Sequence, residues 1–216
     1  MVIPITYRKN TEGVLTSYNY VDIESGLGYV TFYPVKTSNS WTLSDRVLKS
    51  EGTESSWDVT YNSNTYTSSG ALYTFNTSTF NLPKIVKGTA YVEIDHYYKC
   101  NSTADLVDFA HSFAILKNGS VIGFSSGAAY QSLATGATSS GSLLIGIDIP
   151  ETNFKRGDYL GIAIRPVGRT QSAGTSGSML FSLGNDPYDR DGTYLKPSTT
   201  ERSTIFKVDI PFKIDL

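Results

Sequence analysis

In the C-terminal residues 203–216, apolar side chains fall on alternate positions and charged side chains occupy several of the positions between them. The apolar residues are Phe206, Val208, Ile210, Phe212 and Ile214, with Lys207, Asp209, Lys213 and Asp215 among those between them. Because successive side chains of a β-strand point to opposite faces, this period of two predicts a half-buried strand. One apolar row needs a second layer to bury it, so we expect a two-sheet fold that is complete only when this strand docks.

The composition favours a single all-β domain. The 216 residues include fifteen Tyr and nineteen Gly, and an all-β sandwich of this length is usually one domain. Strand-like segments recur between turn signals, so we predict an antiparallel two-sheet β-sandwich, jelly-roll-like, over residues 27–216. Residues 1–26 are predicted to be an extended N-terminal arm, and any further subdivision is expected near residues 82–88.

The same alternation assigns inward faces to several other segments. Within Thr89 to Cys100 the inward row is Ala90, Val92, Ile94, His96, Tyr98 and Cys100. The period recurs from Leu143 to Ile149 and from Leu160 to Ile164. Asn118-Gly119 between two apolar runs predicts a tight hairpin turn.

Little of the chain is expected to be helical or without regular structure. No long apolar stripe of helical period occurs, so helix is expected only as single turns near Leu43 to Lys49 and Asp105 to Asp108. Loops are predicted at Thr37 to Ser56, Ser125 to Gly141 and Arg169 to Gly177.

The balanced charge and the lack of targeting patterns argue against nucleic acid and membranes as partners. Lys and Arg total 18 against 20 Asp and Glu, without a basic block that would attract nucleic acid. The N-terminus lacks the pattern of a signal peptide, and no apolar stretch approaches the roughly 18 residues of a membrane span, so no membrane partner is expected.

Cys100 is the one cysteine, which excludes an intrachain disulfide. The sequons at Asn76, Asn101 and Asn118 are interpreted as chance matches.

The sequence offers no convincing catalytic set, so we expect neither an enzyme nor a cofactor. His96 and Cys100 lie on one strand face but roughly 13 Å apart, too far for a nucleophile and its base. His111 has no obvious acidic neighbour on its own face and is interpreted as structural. Glu93 and Asp95 could be a glycosidase pair, but both point outward from one strand, which favours solvated surface.

A carboxylate-rich segment near the C-terminus gives weak calcium candidates. Asp186, Asp189 and Asp191 precede Gly192, and carboxylate oxygens are ligands that calcium accepts. Their spacing does not match the twelve-residue helical calcium loop, so a plain turn rich in Asp and Asn is the preferred interpretation.

Exposed aromatic residues are the candidate partner-binding groups. We expect Tyr18, Tyr20 and Trp41 to contact a partner, because an aromatic side chain set among polar residues offers a rigid surface. Cross-strand pairing that covers the sheet is the alternative account for most of the tyrosines.

One hairpin resembles a known class of β-sandwich. The segment Phe154-Lys155-Arg156-Gly157-Asp158-Tyr159-Leu160 is similar to the Phe-x-x-Gly-Asp-x-Leu hairpin of jelly-roll proteins. Together with residues 184–187 and 210–216, it resembles minor structural proteins of tailed bacteriophages. The resemblance implies a jelly-roll decoration, cement or tail-associated protein of the virion, assembled in the host cytoplasm as a homo-oligomer, with a trimer as our guess.

The sequence therefore predicts a non-enzymatic virion structural protein that contacts other virion proteins and itself, with the arm docking on a neighbouring subunit. A carbohydrate-binding or lectin-like module that binds a cell-surface glycan is the alternative, because a fold does not fix a function.

Overall fold

The computed structural model describes residues 27–37, 40–45, 54–61, 65, 67–68, 73–100, 107–125, 131–134, 136–170, 177–184 and 206–213. These residues form β-strands and no helix. The strands are β1 (Leu27–Thr37), β2 (Ser40–Ser44), β3 (Glu54–Tyr61), β4 (Thr67–Ser68), β5 (Tyr73–Asn76), β6 (Lys84–Cys100), β7 (Val107–Lys117), β8 (Ser120–Ser125), β9 (Gln131–Leu133), β10 (Thr138–Phe154), β11 (Leu160–Thr170), β12 (Gly177–Gly184) and β13 (Phe206–Lys213). The predicted all-β class is confirmed.

The first sheet is built around β6. Strand β10 pairs with β6 along nearly its whole length, while β12 and then β13 pair with it along the opposite edge. Strand β3 extends this sheet beyond β12, and β1 extends it beyond β13. Every one of these pairings is antiparallel.

The second sheet runs in the order β2, β5, β11, β7, β8. Short strands β4 and β9 add to β11 and β7, and the single contact between β2 and β5 is parallel. Strand β1 links the two sheets, because its first half pairs with β13 and its second half, from Tyr33, pairs with β2. The result is the predicted jelly-roll-like β-sandwich.

The core lies between the sheets and follows the predicted inward faces. Along β6 the buried residues are Val86, Ala90, Val92, Ile94, Tyr98 and Cys100. Ile147 and Ile149 of β10, Leu160, Ile162 and Ile164 of β11, and Phe206, Val208 and Ile210 of β13 complete the predicted rows. The side chain of His96 and all of Ile214 lie outside the described residues. Tyr98, predicted on the inward row, is 1% exposed.

Alternation did not predict that β7 and β11 are buried on both faces. Ala114, Leu116 and Ala163 form a second cluster, separate from the main core. Gly161 is buried as well, and a Cβ added there would collide with the side-chain oxygen of Asn76. The glycine at position 161 therefore leaves room for the side chain of Asn76 on the neighbouring strand β5.

The predicted Asn-Gly turn is confirmed. Asn118 and Gly119 have φ angles of 48° and 80°, and Lys117 pairs with Ser120 across the hairpin. Both residues adopt the left-handed conformation that a two-residue hairpin of this kind requires.

Several predicted irregular segments are strands instead. Residues 43–44 lie in β2 and residues 107–108 lie in β7, so the helical turns predicted there are wrong over those residues. The predicted loops at 37–56 and 125–141 contain β2 and β9 and the beginnings of β3 and β10. Pairing with neighbouring strands supplies the backbone hydrogen bonds that local composition could not reveal. The arm at residues 1–26 lies outside the described residues, and the subdivision near 82–88 stays a prediction.

A close crossing of β8 over β10 generates a stability prediction. A Cβ at Gly123 would lie 2.9 Å from the Asp148 carbonyl oxygen and 3.0 Å from Cγ2 of Ile147. Because backbone and core must shift to admit a methyl group, we expect Gly123→Ala to reduce the free energy of unfolding by about 1–3 kcal/mol. Denaturant unfolding measures this, with exposed Ser120→Ala on the same strand as the control. An unchanged unfolding midpoint for Gly123→Ala would contradict the crossing.

Candidate functional site

The site residues predicted from the sequence fall mostly outside the described part of the chain. Tyr18 and Tyr20 lie there, as do Asp186, Asp189 and Asp191. Trp41 lies in β2 opposite Lys36 of β1, but its side chain is not among those described. The calcium and partner-binding assignments therefore stay predictions.

The side chains considered for catalysis are either buried in the core or paired at the surface. His111 is 1% exposed, and its ring stacks on Tyr98 with centroids 5.1 Å apart, as expected for a structural histidine. Cys100 is fully buried. Glu93 faces outward, where it forms a 2.9 Å ion pair with Lys207, and this hydrogen bond is the main cause that raises the pKa of Lys207.

Metal and membrane criteria give no candidate within the described ranges. No group of three or more His, Cys, Asp or Glu residues there could hold a metal ion. No helix in that part of the chain is long and apolar enough to cross a membrane.

The described residues form a groove at one end of the first sheet, which we call the Phe80 groove. Its volume is about 730 Å³, within the range of small-molecule and peptide pockets. Its apolar lining is Val30, Phe32, Phe80, Ile85, Phe154 and Phe212. Strand register brings these residues together, since Gly28 of β1 lies opposite Phe212 of β13 and Lys84 of β6 lies opposite Phe154 of β10.

The phenylalanines of the groove pack mainly edge to face. Phe80 contacts Phe154 at a centroid distance of 5.4 Å and 81°, and Phe212 at 6.2 Å and 88°. Phe32 continues the row at 6.3 Å from Phe212. Such contacts add to the free energy gained by burying the rings, so the groove has a stiff apolar wall.

Phe80 is held in place by the turn that follows β10. Its N–H donates to the Asp158 carbonyl at 2.8 Å, and its carbonyl accepts from the Gly157 N–H at 2.9 Å. Gly157 has a φ of 91°, a left-handed conformation that glycine adopts without strain. The glycine of the Phe-x-x-Gly-Asp-x-Leu segment therefore also positions a wall of the groove.

Asp158 joins this turn to the neighbouring hairpin. Its carboxylate accepts from the side-chain amide of Asn118 at 2.7 Å and from the Lys155 N–H at 2.8 Å, and the Lys117 ammonium lies 3.3 Å away. The hydrogen bond from Asn118, followed by those from Lys155 and Lys117, lowers the pKa of Asp158 to about 2. The motif aspartate is therefore a crosslink between turns.

The rim of the groove is cationic. Lys84, Lys155 and Lys213 line it and are exposed, and no acidic residue is part of the lining. None of the three has an ion-pair partner among the described residues. An apolar floor under free ammonium groups suits a ligand that combines apolar side chains with negative charge.

Sequence reasoning placed Phe212 on the inward face but missed Phe80. Phe80 follows β5 in a segment without regular alternation, so a period-two search cannot detect it. The signal that could have found the groove is the Phe-x-x-Gly-Asp-x-Leu segment, which fixes both Phe154 and the turn that binds Phe80.

Comparison with known proteins shows a shared fold. No protein-family model and no curated protein sequence matches the chain. Among solved structures, an α-amino acid ester hydrolase aligns with 85% of this chain and 36% of its own at a TM-score of 0.52 and 8% identity. A CocE/NonD family hydrolase from Staphylococcus aureus aligns with 86% of this chain and 37% of its own, at a TM-score of 0.45 and 12% identity.

Viral coat proteins also appear among these neighbours. The VP2 protein of infectious bursal disease virus aligns with 84% of this chain and 45% of its own at a TM-score of 0.33 and 15% identity. The chain thus spans less than half the length of each of these proteins. The match to the ester hydrolase supports the β-sandwich fold and, at such low identity, shows nothing of activity.

The Asp158 crosslink makes stability depend on pH in a defined direction. Because its folded pKa of about 2 lies below the usual 3.8, the ionised carboxylate stabilises the fold above pH 3.8, and this contribution is lost as the pH falls toward 2. We expect Asp158→Asn to have a lower Tm than the parent protein at pH 7, and the difference to close over that interval. Thermal unfolding from pH 7 to pH 2 measures it.

The exposed carboxyl group of Asp45 provides the control through Asp45→Asn, which should follow the parent protein at every pH. A Tm difference for Asp158→Asn that stays constant down to pH 2 would show that the carboxylate is not the stabilising group.

Proposed function

We propose that this chain is a virion structural protein, a capsid decoration, cement or tail-associated component that acts through protein contacts and performs no catalysis. The observation that supports this proposal most directly is the surface of β8. Val121 and Phe124 on this strand are 61% and 58% exposed, and the strand Ser-Val-Ile-Gly-Phe-Ser contains no charged residue.

Strand β8 lies at the end of the second sheet's strand order. Edge strands of free-standing proteins are usually protected by lysine, proline or a covering segment, because their unpaired backbone groups recruit other strands. Strand β8 contains neither lysine nor proline. An apolar edge of this kind suits a chain whose edge is covered by another subunit.

Strand β10 adds to the same margin of the sandwich. Among the described strands, it pairs with β6 alone, and its Leu144 is 66% exposed. Because β8 crosses β10 at Gly123, the exposed apolar residues of the two strands lie on neighbouring edges. A subunit seated there would contact both sheets.

To test this proposal, Val121 and Phe124 are replaced in the virus that encodes the chain. We expect the double variant V121K/F124K to fold with an unchanged Tm, because both side chains are exposed, and to be incorporated into purified particles about tenfold less than the parent. Quantitative mass spectrometry of the particles measures this.

Leu82→Lys is the matched control for this test, since Leu82 is 67% exposed and is not part of β8. Its incorporation should be normal. Absence of the parent chain from purified particles, or equal incorporation of the double variant, would overturn the proposal.

A carbohydrate-binding module is the second candidate, and one observation favours it. Tyr29 of β1 and Tyr91 of β6 lie with ring centroids 6.0 Å apart on the first sheet, where β13 separates the two strands, and Tyr91 is 40% exposed. The hydrogen-bonded pair of Thr89 and Asp148 lies on the same sheet at 2.7 Å. Exposed rings beside polar groups offer the stacking and hydrogen bonds that a sugar requires.

Glycan-array binding distinguishes the two candidates. If the chain is a carbohydrate-binding module, it binds a defined glycan and Tyr91→Ala reduces that binding at least about tenfold, while V121K/F124K binds normally. The virion proposal expects the array signal to be unaffected by Tyr91→Ala.

A further inference from the structure

We propose that the Phe80 groove receives residues 20–24 of a second copy of this chain. This inference rests on the proposed function, since it names the contact by which copies of a structural protein would join. It assigns the groove a single occupant, an extended segment in which apolar and acidic side chains alternate.

The charges of residues 1–26 select this segment. Arg8 and Lys9 make its first part basic, which the lysine rim would repel. Asp22 and Glu24 alternate with Val21 and Ile23, so an extended chain presents its apolar residues on one side and its carboxylates on the other. The groove offers the complementary pattern, a phenylalanine floor below exposed Lys84, Lys155 and Lys213.

The start of β1 lies at the groove margin on every copy. Strand β1 begins at Leu27, opposite Lys213 of β13, and Gly28 already lines the groove. The segment therefore joins the fold at the groove margin. Two copies related by a two-fold axis beside this margin could exchange their segments reciprocally.

A second copy fits better than the chain's own segment. Only Ser25 and Gly26 separate Glu24 from Leu27. Lys84 on β6 lies two strands from β1, roughly 10 Å away at about 4.8 Å per strand spacing. Three residues of extended chain span at most about 10 Å, so the chain's own Glu24 would have to run fully extended across the sheet from Leu27 to reach that lysine, whereas a second copy has no such tether.

Charge reversal in the groove and, separately, in residues 20–24 tests this contact, with each variant made in the full-length protein. The groove variant is Lys84→Glu with Lys155→Glu, and the arm variant is Asp22→Lys with Glu24→Lys. Sedimentation velocity should show that the parent self-associates, and that each variant alone does so at least about tenfold more weakly through like-charge repulsion. The exposed lysines Lys87 and Lys99 lie outside the groove lining, and reversing both is the matched control, which should associate like the parent.

Mixing the groove variant with the arm variant is the decisive measurement. The reversed groove of one then meets the reversed arm of the other, and the unaltered groove meets an unaltered arm, so association should return to the parent level. Joining all four substitutions in one chain should restore it too. Association of the parent should weaken as salt is raised, because the ion pairs are at the surface.

Three results would overturn the proposal: a parent chain that stays monomeric, variants that associate like the parent, or a mixture that stays apart. Since the substituted side chains of the groove are exposed, an unchanged Tm separates lost association from lost folding. A parent that associates through the groove but is absent from virus particles would refute the virion role alone. A parent that is present in particles with variants that associate normally would refute the groove contact alone.

Discussion

The pairing of β6 on both of its edges is the constraint on which the rest of the structure depends. One edge carries β10, and the other carries β12 and β13, so three strands of the first sheet take their register directly from β6. Its inward row buries Val86, Ala90, Val92, Ile94, Tyr98 and Cys100. Each such large apolar side chain contributes about 1.5–3 kcal/mol relative to exposure. Its outer row is mostly polar, and Glu93 in that row pairs with Lys207. The contrast between the two rows decides which face of the sheet points into the core.

The candidate groove follows from that register and from one electrostatic crosslink. Strands β13, β6 and β10 bring Phe212, Ile85 and Phe154 to one end of the sheet. The fourth element, Phe80, is not on a strand and depends on the turn that Asp158 ties to Asn118. Packing thus builds the floor of the groove, and charge-assisted hydrogen bonds position its wall.

The functional proposals for this chain rest on its surface, because the fold indicates no activity. An ester hydrolase contains a similar β-sandwich, so the architecture by itself does not indicate an activity. The surface features used in the proposals are the uncharged edge of β8 and the lysine rim around an apolar groove. Both features favour binding of another protein chain.

The sequence by itself determined the strand class and the inward faces, because a period of two is a local property that any buried strand must show. It determined Phe206, Val208 and Ile210 as core residues, and the Asn118-Gly119 turn. It also predicted Tyr98 on the inward row, where the structure buries it. Only the tertiary structure decided that Phe80, Phe154 and Phe212 meet beneath three lysines, and that β7 and β11 are covered on both sides. Alternation in the sequence indicates which face of a strand is buried. Which other strand or sheet buries that face depends on long-range register and on the close approach of backbones, and no local pattern contains either.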